Sequence, residues 1–109
     1  FADVILIAAE AANELGQSAK AANYVNIIRN RAGLANTTAA DQVTLRAAIK
    51  QERRIEFAME FERFYDLVRW GDAPAVLGVK GYTDKNKYFP IPQEAIDKSQ
   101  GVLVQNPNY

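Results

Sequence analysis

Apolar residues cover almost the whole circumference of the first segment. From Ala2 to Leu15, Val4, Ile5, Leu6, Ile7, Ala8, Ala9, Ala11 and Ala12 are interrupted only by Asp3, Glu10, Asn13 and Glu14, and most of these residues favour helix. A helix that is apolar on all sides is buried on all sides. A chain of 109 residues can hardly enclose one, so part of its partners is expected in sequence outside this chain. Gly16 supplies a stop and Ser18 a candidate cap. From Ala19 to Ala32, the residues Ala21, Tyr24, Val25, Ile28 and Ala32 recur at the three- and four-residue spacing of one helix face, and Gly33 closes the segment. The two segments predict a helical hairpin. Residues Leu34 to Asp41, rich in Asn, Thr and Ala, read as a loop; Asn36-Thr37-Thr38 has glycosylation-acceptor spacing, a pattern short enough to arise by accident.

Residues Thr44 to Trp70 contain neither Gly nor Pro. One helix through all of them would extend about 40 Å at 1.5 Å per residue. Their pattern is less simple. Leu45, Ala48, Ile49, Met59, Leu67 and Trp70 share one stripe, while Phe57, Phe61, Phe64 and Val68 form a second on roughly the opposite side. Two buried faces imply a helix sandwiched between layers or two helices that break near Glu60 to Glu62. Beyond Gly71, the residues Pro74, Gly78 and Gly81 punctuate short segments. Asp72 and Pro74 suit a helical turn through Val76 or Leu77, and Tyr82 to Lys87 reads as a polar loop. Phe89 and Ile91 each precede a proline and must be extended. Pro92 can then open a turn over Gln93 to Asp97. The tail from Gly101 to Tyr109 carries the turn signal Asn106-Pro107-Asn108 and is expected to lie across the surface of the helices. The fold class is all-α: a tetratricopeptide-like hairpin, a long or broken third helix and an irregular, proline-containing tail, in one domain over residues 1–109. Ala9, Gly16, Ala21 and Val25 fall where the two helices of a tetratricopeptide unit touch, although any antiparallel helix pair gives the same pattern. A single repeat cannot bury its own faces, so a solenoid would have to continue upstream.

Charge and composition narrow the functional classes. Lys plus Arg and Asp plus Glu each total 13, and with zero net charge no overall field draws the chain to nucleic acid or anionic lipid. There is no His and no Cys, which removes Ser-His-Asp and Cys-His catalytic sets, thiolate metal sites and disulfides. The longest apolar run falls far short of the roughly 20 residues of a membrane span, and the chain is expected to be soluble. Its opening, Phe1-Ala2-Asp3-Val4, has no initiator Met, basic n-region or cleavage site, which reads as a start in mid-protein.

The residues with chemistry lie mainly on the third segment. Glu52, Glu56 and Arg63 sit in the middle of the apolar stripe, where an unpaired carboxylate would cost several kcal/mol. This predicts an ion-pair network joining Glu52, Glu56 and Arg63 with Arg29 or Arg31. The competing reading takes Glu52, Glu56 and Glu60 as metal ligands or an acid-base pair, but helical di-metal sites normally add a Glu-x-x-His element and no His exists. No catalytic set, metal or cofactor is expected. Trp70 with Tyr65, Tyr82 and Tyr88 offers an aromatic platform for a sugar ring or another flat apolar ligand. Trp70 on its packed stripe and Tyr88 at its prolines fit core roles better than ligand contacts, which leaves Tyr82, in a Gly-flanked loop, as the best-placed ligand contact. No Gly-rich phosphate loop is present.

Four segments, in order, are similar to the C-terminal part of SusD/RagB-family proteins: Ala2-Asp3-Val4-Ile5-Leu6 with Ala9-Glu10-Ala11 and Asn13-Glu14; Val25-Asn26 with Ile28-Arg29 and Arg31-Ala32-Gly33-Leu34; Glu52-Arg53-Arg54 through Trp70-Gly71; and Tyr88-Phe89-Pro90-Ile91-Pro92-Gln93-Glu94 with Ile96-Asp97 and Gln105-Asn106-Pro107-Asn108-Tyr109. One departure is Phe61, where the family often has Gly. The resemblance implies a mostly helical fold with tetratricopeptide-like pairs. It implies a lipoprotein anchored through an N-terminal Cys at the outer membrane of Bacteroidetes, and a lid-like role over a SusC-type TonB-dependent transporter. It further implies capture of glycans, or in some members peptides, with ligand contacts coming largely from the rest of the protein, so that the quoted motifs transfer as scaffold. The alternative from another class is a free-standing tetratricopeptide-like interaction module.

Overall fold

A computed structural model describes all residues, 1–109, as helices joined by turns, without strands. The chain forms two compact units, Phe1–Arg63 and Phe64–Tyr109.

The first unit is built on three helices: α1 (Ala2–Glu14), α2 (Ser18–Arg31) and α3 (Gln42–Glu56). Gly16 at φ 74° and Gly33 at φ 73° take the left-handed conformation that ends α1 and α2. Ser18 starts α2 from inside; the capping position falls on Gln17, whose side chain makes no cap bond. Asp41 caps α3 instead, accepting from the Val43 and Thr44 amides at 2.9 and 3.0 Å, and the Thr44 hydroxyl accepts from the Asp41 amide.

The core is layered. Ala2, Leu6, Ile28 and Phe57 form one layer, Ala9, Val25 and Ile49 the next, and Ala12, Ala21 and Leu45 the last. Numbers rise along α1 while they fall along α2 and α3, so α1 runs antiparallel to both and α2 runs parallel to α3. Alanine at 9, 12 and 21 lets the backbones approach where Val25, Ile49 and Leu45 supply the bulk. At the far end the Asn13 amide donates to the Gln42 carbonyl, and the Gln42 amide donates back to the Asn13 carbonyl, both at 2.9 Å. The loop after α2 is held by Arg29 Nε donating to the Ala35 carbonyl and the Thr37 amide donating to Asn26 Oδ1, both at 2.8 Å.

The structure covers one face of α1 and leaves the other uncovered in this chain. Both α2 and α3 pack on the side that carries Leu6, Ala9 and Ala12, and the opposite stripe stays outside: Val4 is 67% exposed, Ile7 51% and Leu15 73%. Burial on all sides therefore does not occur within this chain, because two neighbours cover only one face of a cylinder. Of the two readings of residues 44–70, the structure takes the broken helix. Residues 57–61 leave the helix, with Met59 at φ 71° and Phe61 at φ 63°, earlier than the predicted Glu60 to Glu62. The link removes both residues from their stripes: Met59 is 93% and Phe61 88% exposed, whereas Leu45, Ile49, Phe57 and Leu67 are buried.

The second unit contains most of α4 (Glu62–Arg69), then α5 (Ala73–Leu77), two 3₁₀ turns over Gly78–Lys80 and Asp84–Lys87, and α6 (Gln93–Lys98). The 84–87 turn lies within the predicted polar loop and is held by Asn86 Oδ1, which accepts from the Thr83 amide at 2.8 Å and from the Thr83 hydroxyl at 3.0 Å. The tail lies along Tyr88–Ile91, and the reason is chemical. Pro90 and Pro92 keep Phe89 and Ile91 extended and carry no N–H, which leaves Ile91 as the residue of Pro90-Ile91-Pro92 with both a backbone donor and a backbone acceptor to satisfy. The Gln105 amide satisfies both of its backbone groups, accepting from the Ile91 N–H and donating to the Ile91 carbonyl at 2.8 Å each. Asn106 Nδ2 donates to the Phe89 carbonyl at 2.6 Å, and the Tyr109 hydroxyl to the Tyr88 carbonyl at 2.9 Å.

Candidate functional site

These tail bonds create a concavity in the second unit. It encloses about 330 Å³ and is lined mainly by Phe64, Tyr82, Tyr88, Phe89, Tyr109 and Lys80. Each wall follows from local sequence. Gly81, at φ 92°, ends the first 3₁₀ turn with a left-handed residue that reverses the chain and sets Tyr82 against Phe64, with ring centroids 6.3 Å apart and planes at 58°. Pro90 keeps Phe89 extended, and the Tyr109 hydroxyl bond draws the last ring to the rim. The second 3₁₀ turn, Asp84-Lys85-Asn86-Lys87, carries two lysines and one carboxylate. Lys85 Nζ stands 5.6 Å from the centre of the Tyr109 ring, and Lys87 Nζ 5.4 Å from that of Tyr88. The cleft therefore presents apolar ring faces next to ammonium donors. That is an arrangement for stacking and hydrogen bonding, not for activating a nucleophile.

Tyr82 and Tyr88, nominated as ligand contacts from sequence, meet in this cleft. Trp70 does not join them: it is half-buried, with the Arg69 guanidinium 4.7 Å from the centre of its ring. Tyr65 packs edge-on to Phe64 at 5.8 Å. Phe64, Phe89, Tyr109 and Lys80 were not singled out by sequence reasoning. Phe64 is assigned there to a core stripe, and nothing local in the sequence reveals that the last residue returns to Tyr88. The alternation of Lys85 and Lys87 with nearby tyrosines is the one local signal that points to this loop.

The charged residues of α3 are arranged separately, within the first unit. Glu52, almost wholly buried, pairs with Arg29, and Glu56 pairs with Arg31. Arg63 is half-buried and pairs with neither. The cation that does enter the core is Arg53. It is 4% exposed, its Nη1 lies 2.7 Å from Asp3 Oδ1, and its guanidinium lies 5.0 Å from the centre of the Phe57 ring. Glu60 lies exposed in the link, away from the helical spacing that would align it with Glu52 and Glu56. Glu14 and Arg46 form a two-pronged pair at 2.7 and 2.6 Å, and the Arg46 hydrogen bond holds the Glu14 carboxyl below its usual range.

Known proteins share this arrangement. The SusD family profile matches residues 1–109. SusD-like protein P2 of Formosa agariphila is 35% identical over 125 residues, which take in 100% of this chain and 25% of that protein. The crystal structure of a SusD-like protein from Bacteroides fragilis superposes with a TM-score of 0.85 at 34% identity, covering 99% of this chain and 25% of that one. A laminarin-binding SusD-like protein superposes with a TM-score of 0.83 at 39% identity, covering 99% and 22%. The chain thus spans about a quarter of the length of the relatives it matches. A family profile matched from the first residue to the last, together with close superposition of the helices, means that the chain belongs to the SusD family.

Proposed function

We propose that these residues are the helical framework of a cell-surface nutrient-binding protein that captures a glycan, performs no catalysis and hands its ligand to a SusC-like TonB-dependent transporter. The observation that carries this reading is the match over the whole chain to a family whose solved relatives include a laminarin-binding protein. The exposed Val4, Ile7 and Leu15 stripe supports the framework role, since an apolar helix face of this kind is suited to packing against further protein. The same stripe counts against a free-standing tetratricopeptide-like module, which would present a polar outer face. No helix is long and apolar enough to cross a membrane, which accords with attachment through a lipid anchor elsewhere in the protein.

Isothermal titration of the full-length protein against neutral and charged oligosaccharides and short peptides tests the reading. Saturable binding of a glycan that is recovered intact is expected, and co-purification from outer membranes with a TonB-dependent transporter tests the partnership. Hydrolysis of a bound glycan, or binding of peptides alone, would reject it.

A further inference from the structure

We propose that the aromatic cleft of the second unit is a subsite for an anionic saccharide, a pyranose bearing a carboxylate or sulfate group. This deepens the glycan-binding reading and rests on it. The cleft's volume, about 330 Å³, lies near the lower end of small-molecule sites and suits one or two sugar units, not a long chain. Phe64, Tyr82, Tyr88, Phe89 and Tyr109 bring five aromatic rings to it, and ring faces stack well on the C–H face of a pyranose.

Charge identifies the class of sugar. The second unit has five cationic and five anionic side chains, yet Lys80, Lys85 and Lys87 fall within eight consecutive residues that contain one carboxylate, Asp84. The other carboxylates have partners of their own: Glu94 pairs with Lys98, Asp66 with Arg69, and Asp97 accepts from Gln93. Asp72 is also engaged. None of the three lysines forms an ion pair; Lys85 and Lys87 each lie over one face of a tyrosine ring of the cleft, and Lys80 lines it. Ammonium groups that cap Tyr88 and Tyr109 leave Phe64, Tyr82 and Phe89 to stack, and match a sugar whose ring packs on those faces while its anionic group accepts from lysine. A neutral glucan would offer these donors hydroxyl oxygens but no charge to balance theirs.

The test compares full-length wild type with the triple variant Lys80→Gln/Lys85→Gln/Lys87→Gln and with the charge-preserving triple Lys→Arg variant. The probes are a galacturonic acid tetrasaccharide, a sulfated galactan tetrasaccharide and laminarihexaose. Tighter wild-type binding of one or both anionic sugars than of laminarihexaose is expected, weakening as salt rises from about 50 to 500 mM. The glutamine variant should lose about tenfold or more of that affinity while laminarihexaose binding stays within about twofold, and the arginine variant should recover most of the loss. The two anionic probes distinguish carboxylate from sulfate as the recognised group. Unchanged affinity in the glutamine variant, equal loss for all three sugars, or tighter binding of a glutamate-rich peptide would each overturn the proposal. Binding of laminarihexaose with no response to either anionic sugar sinks this inference alone; no binding to any glycan sinks the function proposed above as well.

Discussion

Phe61 occupies left-handed backbone space at φ 63° with its ring exposed, a conformation that costs a residue with a Cβ about 1–2 kcal/mol. The SusD-family resemblance places Gly at this position, and the backbone supplies the reason. Phe61→Gly should raise stability by about 0.5–1 kcal/mol, because the exposed ring contributes little packing and Gly removes the strain at some entropic cost. Urea denaturation measures it, and a destabilised variant would mean that the ring packs in solution. Glu52 presents the opposite case, a buried carboxylate held by Arg29. Glu52→Ala should destabilise by about 1–2 kcal/mol, discounted because Arg29 is a quarter exposed. A double-mutant cycle with Arg29→Ala isolates the pair, and a coupling near zero would reduce it to a surface contact.

Among the elements, α3 depends most on ionised carboxylates. Hydrogen bonds from the Thr44 backbone and side chain hold the Asp41 carboxyl below its usual value at the N-cap, and Arg46 does the same for Glu14, tying α1 to α3. A folded-state pKa that is depressed gives stability that is complete above the unfolded values, 3.8 for Asp41 and 4.5 for Glu14, and is lost as pH falls through the lower folded values. The urea midpoint should therefore fall between pH 5 and pH 2.5, and the Asp41→Asn/Glu14→Gln variant should give a shallower profile over the same range. Equal slopes would place the acid sensitivity elsewhere. The elements themselves were largely legible: α1, α2, α5 and α6 start or stop at Gly16, Gly33, Pro74 and Pro92, residues whose backbone preferences are local. The break between α3 and α4 was readable only as two incompatible stripes. Its turn residues, Met59 and Phe61, are not turn formers, so no local preference announces them.

For the whole molecule, the exposed Val4, Ile7 and Leu15 stripe makes a prediction of its own. Residues 1–109 produced alone should self-associate through α1, and Val4→Lys/Ile7→Lys should shift the population toward monomer. Light scattering across a concentration series decides it; a monomer that stays unchanged at high concentration would mean that this face needs no cover. The aromatic cleft is also a property of this scale, since its residues range from Phe64 to Tyr109 and meet only because the tail bonds back to Tyr88–Ile91.

Sequence alone determined the all-helical character, the hairpin, the short helices at Pro74 and Pro92 and the family, because periodicity, Gly and Pro placement and motif order are properties of neighbouring residues. Tertiary structure decided which charges are paired, which face of α1 is covered and which rings share a cleft. Arg53, and not Arg63, meets Asp3 and Phe57 because it is Arg53 that α3 turns toward α1, and Tyr109 reaches Tyr88 through its hydroxyl bond to that carbonyl. Such outcomes depend on distances between residues far apart in the chain, which no local pattern encodes.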